Sequence, residues 1–428
     1  VKPEAFLIKN VRIFDPTSGV DQIGDLKISA GKIAQIGKDL KADGAEQAIE
    51  GKGKVLVPGF LDLHTHLREP GFEHKETIET GTRAAAAGGF TAVCCMANTQ
   101  PVNDSAAITQ YILEQAERHA SVRVLPIGAI SKGLEGRELA EIGELKAAGC
   151  VGVSDDGKTL MDNQLMRLAM DYAKSFDLPV MPHCICAELS EGGSMHEGVV
   201  SCRLGLTGIP AEAEEIIVAR DIHLSRLTGC SLHVTHVSTA GAVELVRQAK
   251  KQGLPVTAEA TPHHFTLTDE ACSDYNTHAK MCPPLRAERD RQAVIQGILD
   301  GTIDAIATDH APHAVVDKEL EFDQAAFGVI GLETAFPLAL NLVEQQGLSL
   351  ARLIQLLTSG PAAVIRQPRP GIAVGGAADL ALLDLNARWT YRAAEGFSKS
   401  RNTPFEGWEM KGRVVATWMN GKRVHFHE

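Results

Sequence analysis

Val55-Leu56-Val57-Pro58-Gly59-Phe60-Leu61-Asp62-Leu63-His64-Thr65-His66 decides how the rest of the chain is read. An apolar, β-branched run that ends in polar residues reads as a buried strand whose last side chains reach solvent. Alternate strand residues face one side, so His64 and His66 point together from its C-terminal end. Working outward, the texture returns in Phe90–Thr99, Val122–Ile130, Cys150–Gly157, Leu178–Cys184, Ser231–Ser238, Leu254–His263 and Asp304–His313. Amphipathic stretches of helical period lie between, among them Ser105–Ala120, Asn163–Phe176, Pro210–Leu227, Ala240–Gln252 and Arg286–Leu299. Gly149, Gly229, Gly253 and Gly301 mark the joints where helices stop. Eight strands alternating with helices predict an α/β fold, a (β/α)8 TIM barrel. An open doubly wound sheet would need a glycine-rich phosphate loop after its first strand, and none is present.

The flanks alternate apolar and polar residues instead. Ala5–Leu40, Ala378–Leu385 and Val414–Phe426 read as strands, with Asn420-Gly421 as a type I′ hairpin signal. Neither flank has enough strands to stand alone, so both termini are expected to build one small β-sandwich. The expected division is 1–56 and 366–428 for the sandwich and 57–365 for the barrel.

Composition narrows the function. The chain has 428 residues with 42 basic and 54 acidic ones, a net charge of −12 and no run of Lys or Arg. That balance argues against a nucleic-acid partner or an anionic membrane surface. No apolar stretch reaches the roughly 20 residues of a membrane span. Val1-Lys2-Pro3-Glu4 has neither an initiator Met nor the apolar region of a secretory signal, so a trimmed start and a cytoplasmic setting are expected. The nine cysteines scatter without CxxC spacing, as suits buried thiols in a reducing compartment.

In such barrels the chemistry sits at the C-terminal strand ends. There the runs offer His64 and His66, Asn98, Asp155-Asp156, His183, His236, His263-His264 and Asp309. With 16 histidines a chance His-x-His is expected about 0.6 times, so the motif needs context. His425-Phe426-His427 is the internal control, read as an exposed strand end. Imidazole with carboxylate suits Zn²⁺, and the number of candidates exceeds one tetrahedral shell. One metal with spare catalytic groups, or two metals, fits that count.

Val57–Gly71, with its Asp62-Leu63-His64-Thr65-His66-Leu67-Arg68 core, resembles the first metal motif of cyclic amidohydrolases. Glu76–Gly81, Met96–Thr99, Ser154–Gly157, His233–Ser238, Thr261–His264 and Ala307–His313 resemble the class I dihydroorotase family, and the likeness covers essentially the whole chain. The resemblance implies metal ligation by His64, His66, Asp156, His183, His236 and Asp309, with one or two Zn²⁺ per chain. It selects Asp156 over Asp155, a choice that spacing leaves open. Hydantoinases and dihydropyrimidinases carry a carbamylated lysine at the place of Asp156.

The implied reaction is reversible hydrolysis of (S)-dihydroorotate to N-carbamoyl-L-aspartate in pyrimidine synthesis, with Asp309 moving the proton. Arg68, Asn98 and His313 would hold the substrate carboxylate, His66 would also touch the substrate, and the Phe327-Gly328 main chain would hold the ring. Ala314–Ala326 is expected to be a mobile lid. Cys282 stands where many relatives carry an Asn that contacts the ring, Ile185 where they often carry Glu, and Ala97 where Pro is frequent. An allantoinase or hydantoinase is the alternative within the class. A silent scaffold of aspartate carbamoyltransferase is the alternative outside it. The expected partners are a second copy, as a homodimer, and possible complex formation with aspartate carbamoyltransferase.

Overall fold

Helix Asn163–Ser175 shows how the alternation folds. Asp162 caps it by accepting the Leu165 N–H at 2.8 Å, and Met166, Ala169, Met170 and Ala173 are buried on one stripe. Truncating such a residue, as in Met170→Ala, costs about 2–5 kcal/mol. Helices Ile142–Ala148 and Glu212–Thr228 end at Gly149 and Gly229 in left-handed backbone (φ 119° and 71°), as the glycine joints predict. The computed structural model describes residues 5–42, 47–368 and 371–427, so Val1-Lys2-Pro3-Glu4 lies outside the described residues.

A parallel ladder joins Phe60–Thr65 to Phe90–Cys95, Arg123–Gly128 and Gly152–Val153. The fifth stave is a single bridging residue, Val180, between Val153 and Leu232. Leu232–Val234, Val256–Ala260 and Ala305–Ile306 complete the ring. It closes where Thr65 pairs with His310 and the His66 N–H donates to the His310 carbonyl at 2.9 Å. The seam is reinforced by Asp62, which accepts from the N–H of Thr308 at 3.0 Å and of His64 at 3.1 Å. Burial pushes the Asp62 carboxyl up to about 7 against these bonds.

Strands from both termini form one eight-stranded sheet, with Val55–Pro58 between Phe6–Asp15 and Leu380–Thr390. Lys32 bridges Ala377, so the sheet curls over a core of Phe6, Ile8, Leu26, Leu56, Leu382 and Trp418. Asn420 and Gly421 both have positive φ (48° and 73°), as a type I′ turn requires.

Two expectations need correction. The run Val55–His66 is two strands: Val55–Pro58 belongs to the terminal sheet, and the barrel begins at Phe60. Both halves are buried, so hydropathy shows no break. The turn is at Gly59, where a Cβ would lie 2.2 Å from the Thr91 side chain. Second, the segment Ala314–Ala326 is tethered rather than loose. Lys318 Nζ donates to the carbonyl of Ala326 (2.6 Å) and Lys280 Nζ to those of Phe322 (2.7 Å) and Asp323 (3.0 Å). Both lysines are buried.

Candidate active site

Strand ends gather the predicted residues at one mouth of the barrel. His64 and His66 leave the first strand with ring centroids 5.3 Å apart. Left-handed backbone at His236 (φ 33°) and Asp309 (φ 45°) breaks the extended runs where these residues enter the mouth. Non-glycine residues hold such backbone only where the surroundings enforce it, and Arg68 (φ 63°) is a third case.

Asp156 sits at the centre. Its carboxylate lies 3.4 Å from His64 Nε2, 3.5 Å from His66 Nε2, 3.4 Å from His183 Nδ1 and 3.3 Å from His236 Nε2. Asp309 Oδ1 lies 3.0 Å from His66 Nε2 and 3.5 Å from His64 Nε2. Asp155 turns away and accepts from the N–H groups of Ile130 (2.8 Å) and Ser131 (3.0 Å). The choice left open by spacing is thus made by the neighbouring strand end.

Two trios have donor atoms close enough to share an ion: His64, Asp156 and His236, and His64, His66 and Asp309. His183 joins neither trio, although its Nδ1 lies 3.0 Å from His236 Nε2. The buried His64 Nε2 has no hydrogen-bond partner, although it faces both aspartates. Burial opposes its charge, yet Asp156 and Asp309 push the His64 imidazole well up from its ordinary value. His183 is likewise raised to about 10, burial being outweighed only by Asp156 and Cys282 acting together. Despite burial, Asp156 is held below the usual carboxylate range by His64, His183 and His236, and Asp309 by His64, His66 and His236. Neutral imidazoles and carboxylates gathered in this way are the ligand types a divalent cation takes.

Supporting groups that sequence reasoning missed fix these rings. Glu259 takes His64 Nδ1 at 2.9 Å and His233 Nε2 at 3.0 Å, with all three side chains fully buried. That fixes His64 with Nε2 towards the aspartates. The available signal was the alternation of His233 and Glu259 on adjacent strands, which marks a shared face but not a shared bond. Asn98, expected to donate to a substrate, also engages His66 Nδ1 through its Oδ1 at 2.9 Å.

One wall is cationic. Arg68 donates to the Pro312 carbonyl at 3.1 Å and reaches His313 Nε2 at 3.4 Å, while Lys75 approaches His313 Nδ1 at 3.3 Å. Burial and these two cations pull His313 down to about 3, so it is neutral. Arg68, lowered by burial to about 10, stays charged at neutral pH.

The mouth opens into a cavity of about 640 Å³ whose walls include Arg68, Asn98, Cys282, His313 and Phe327 above His66, Asp156, His183 and Asp309. Lys158 and Thr159 also line it and were not anticipated. Cys282 Sγ lies 3.7 Å from His183 Nε2, so the thiol meets a histidine as well as the cavity. Gly328 departs from expectation. Its N–H donates to the Lys280 carbonyl (2.9 Å), and its carbonyl accepts from Asn402 (3.0 Å) and Lys318 (3.2 Å). Its main chain is spent inside the protein, which leaves Phe327 facing the cavity. The control motif lies elsewhere: His425 packs edge-on against Phe397 with centroids 5.8 Å apart and is half-buried rather than exposed.

Residues 53–242 match the family model described as dihydro-orotase-like. The dihydroorotase of Syntrophotalea carbinolica is 52% identical over 97% of this chain and 98% of the relative. That of Anaeromyxobacter sp. (strain K) is 51% identical over 99% and 98%. The L-hydantoinase (dihydropyrimidinase) of Arthrobacter aurescens superposes with a TM-score of 0.87 at 25% identity, covering 99% of this chain and 96% of that one. Matched along nearly its whole length at half identity, the chain belongs to the dihydroorotase family of the amidohydrolase superfamily.

Proposed function

We infer that the chain catalyses the reversible hydrolysis of (S)-dihydroorotate to N-carbamoyl-L-aspartate, a step of pyrimidine synthesis. The observation that carries this reading is the cationic wall of Arg68, with neutral His313, beside a floor of histidines and aspartates. A ring amide lies over the floor while the ring's own carboxylate meets the wall. Arg68 offers a forked, charge-assisted pair of donors, and Asn98 and His313 complete the pocket for that group.

His64, His66, Asp156, His183, His236 and Asp309 would hold one or two Zn²⁺, and the unpartnered His64 Nε2 is the atom that most requires a cation. Zinc supplies Lewis-acid polarisation and a nucleophile at neutral pH. Asp309, kept ionised by His64 and His66, takes the proton of the attacking water and returns it to the leaving amide nitrogen. In ring closure the same carboxylate deprotonates the ureido nitrogen. His66, Cys282 and Phe327 line the cavity that would take the ring.

We place the boundary between the terminal β-domain and the barrel at Gly59 rather than 56/57, and keep the second boundary near 365/366. A cytoplasmic location, a homodimer and a complex with aspartate carbamoyltransferase belong to the same proposal. No helix among the described residues is long and apolar enough to cross a membrane.

The test is Arg68→Met with metal content checked. Losing a charge-assisted forked contact to a buried carboxylate costs about 2–4 kcal/mol, so kcat/KM for dihydroorotate should fall by roughly 30- to 1000-fold. Dihydrouracil, the same ring without the carboxylate, should be a poor substrate for both forms and indifferent to the change. Equal activity on the two rings, or an equal loss on both, would assign the chain a hydantoinase-like specificity.

A further inference from the structure

Asn402 comes from the segment that returns after the Leu380–Thr390 strand, far in sequence from every residue of the mouth. It is only 2% exposed, and both polar atoms of its side chain are matched. Its Nδ2 donates to the carbonyls of Ala311 (2.9 Å) and Gly328 (3.0 Å), and its Oδ1 accepts the His313 N–H at 3.0 Å. Its own carbonyl accepts the Ile330 N–H at 2.9 Å. Ala311 and His313 stand on the outgoing limb of the loop after the eighth strand, and Gly328 and Ile330 stand on the returning limb. One primary amide therefore ties the two limbs together beside the cavity.

We propose that Asn402 is a positioning residue for recognition of the substrate carboxylate, acting through His313. The proposal rests on the reading that His313 and Arg68 hold that carboxylate. The chemistry singles out Asn. Two donors and one acceptor are needed on a short stem: Asp lacks the donors, Ser lacks the reach, and Gln is one methylene too long. The same C-terminal segment also anchors the other side of the cationic wall. Ser400 Oγ donates to the Lys75 carbonyl at 2.7 Å, and the Lys399 N–H to Glu76 at 3.0 Å. The wall is thus framed by chain that is not part of the barrel.

The experiment is a double-mutant cycle on the zinc-loaded enzyme with Asn402→Ala, His313→Ala and the pair. Asn402→Ala should raise KM for dihydroorotate at least about 10-fold with kcat within about 3-fold, because binding common to ground and transition states is lost. In the His313→Ala background the same change should add little, as expected of residues acting through one contact. A multiplicative effect in the pair, or an unchanged KM in the single variant, overturns the proposal. If the alanine variant does not fold, Asn402→Asp takes its place, keeping the shape and the acceptor but turning oxygen towards two carbonyls. If wild type fails to turn over dihydroorotate, the functional reading falls, and amide exchange then judges the clamp. The His313 N–H must lose protection in Asn402→Ala, and retained protection refutes it.

Discussion

The chain carries two His-x-His motifs, and their leading histidines have opposite electrostatic fates. His64 is raised well above its ordinary value because Asp156 and Asp309 outweigh burial. His425 is pulled down to about 4 by burial, with His427 and Arg413 adding to the effect. The tripeptide pattern is the same, and so is the strand setting. What differs is the far side of each ring: three carboxylates surround the first motif, while Phe397 and a guanidinium border the second. A histidine pair becomes a candidate metal site through what other strands bring to it.

The strongest way to break this comparison is to remove both motifs in turn. His64→Ala with His66→Ala should abolish zinc binding and activity while the fold survives. His425→Ala with His427→Ala should leave zinc content unchanged, as metal analysis of the purified variants will report. Full occupancy in the first double variant would sink the ligand assignment.

Next in size is Asp309→Asn, which keeps the shape and removes the basic oxygen. A fall in kcat of at least about 10²-fold is expected, the lower end of general-base contributions. Turnover near wild type would mean another group moves the proton.

Glu259→Gln acts more gently, since it weakens the shared partner of His64 Nδ1 and His233 Nε2 and leaves the proposed ligands in place. Zinc affinity should drop by roughly 10- to 100-fold, read by competition with a chelator. An unchanged affinity would show that His64 needs no partner to hold its orientation.

The smallest effect belongs to His425. Unfolded, it takes a proton near its ordinary 6.5; folded, it does so only near 4. Between those values the unfolded state binds more protons, so the neutral ring's stabilisation is present above pH 6.5 and lost as pH falls towards 4. His425→Ala should therefore flatten the melting-temperature profile across that window relative to wild type. An identical pH slope in the two proteins would show that the ring is freely solvated.

Much of this arrangement was legible in the sequence for one physical reason. Strand ends place chemistry at a fixed face, so His64, His66, His183, His236 and Asp309 could be read from where apolar runs stop. The split at Gly59 could not, because both flanking strands are buried and the break is a close approach to Thr91 rather than a change in polarity. Asp155 and Asp156 differ only in which neighbour receives them. Glu259 offers only the face it shares with His233, and Lys280, Lys318 and Asn402 carry no local signal. Each is an ordinary polar residue whose partners lie on other segments and become visible only as bonds.

The seam between the first and eighth strands has a consequence for the order of events in the cell. His64 and Asp309 are 245 positions apart, and the backbone that aligns them is the closing pair of Thr65 and His310. A growing chain that has emerged only as far as Gly301 already holds five of the six side chains assigned to the metal. It has no eighth stave to shut the ring and no Asp309. The proposed ligand set is therefore complete only once synthesis has passed the last barrel strand.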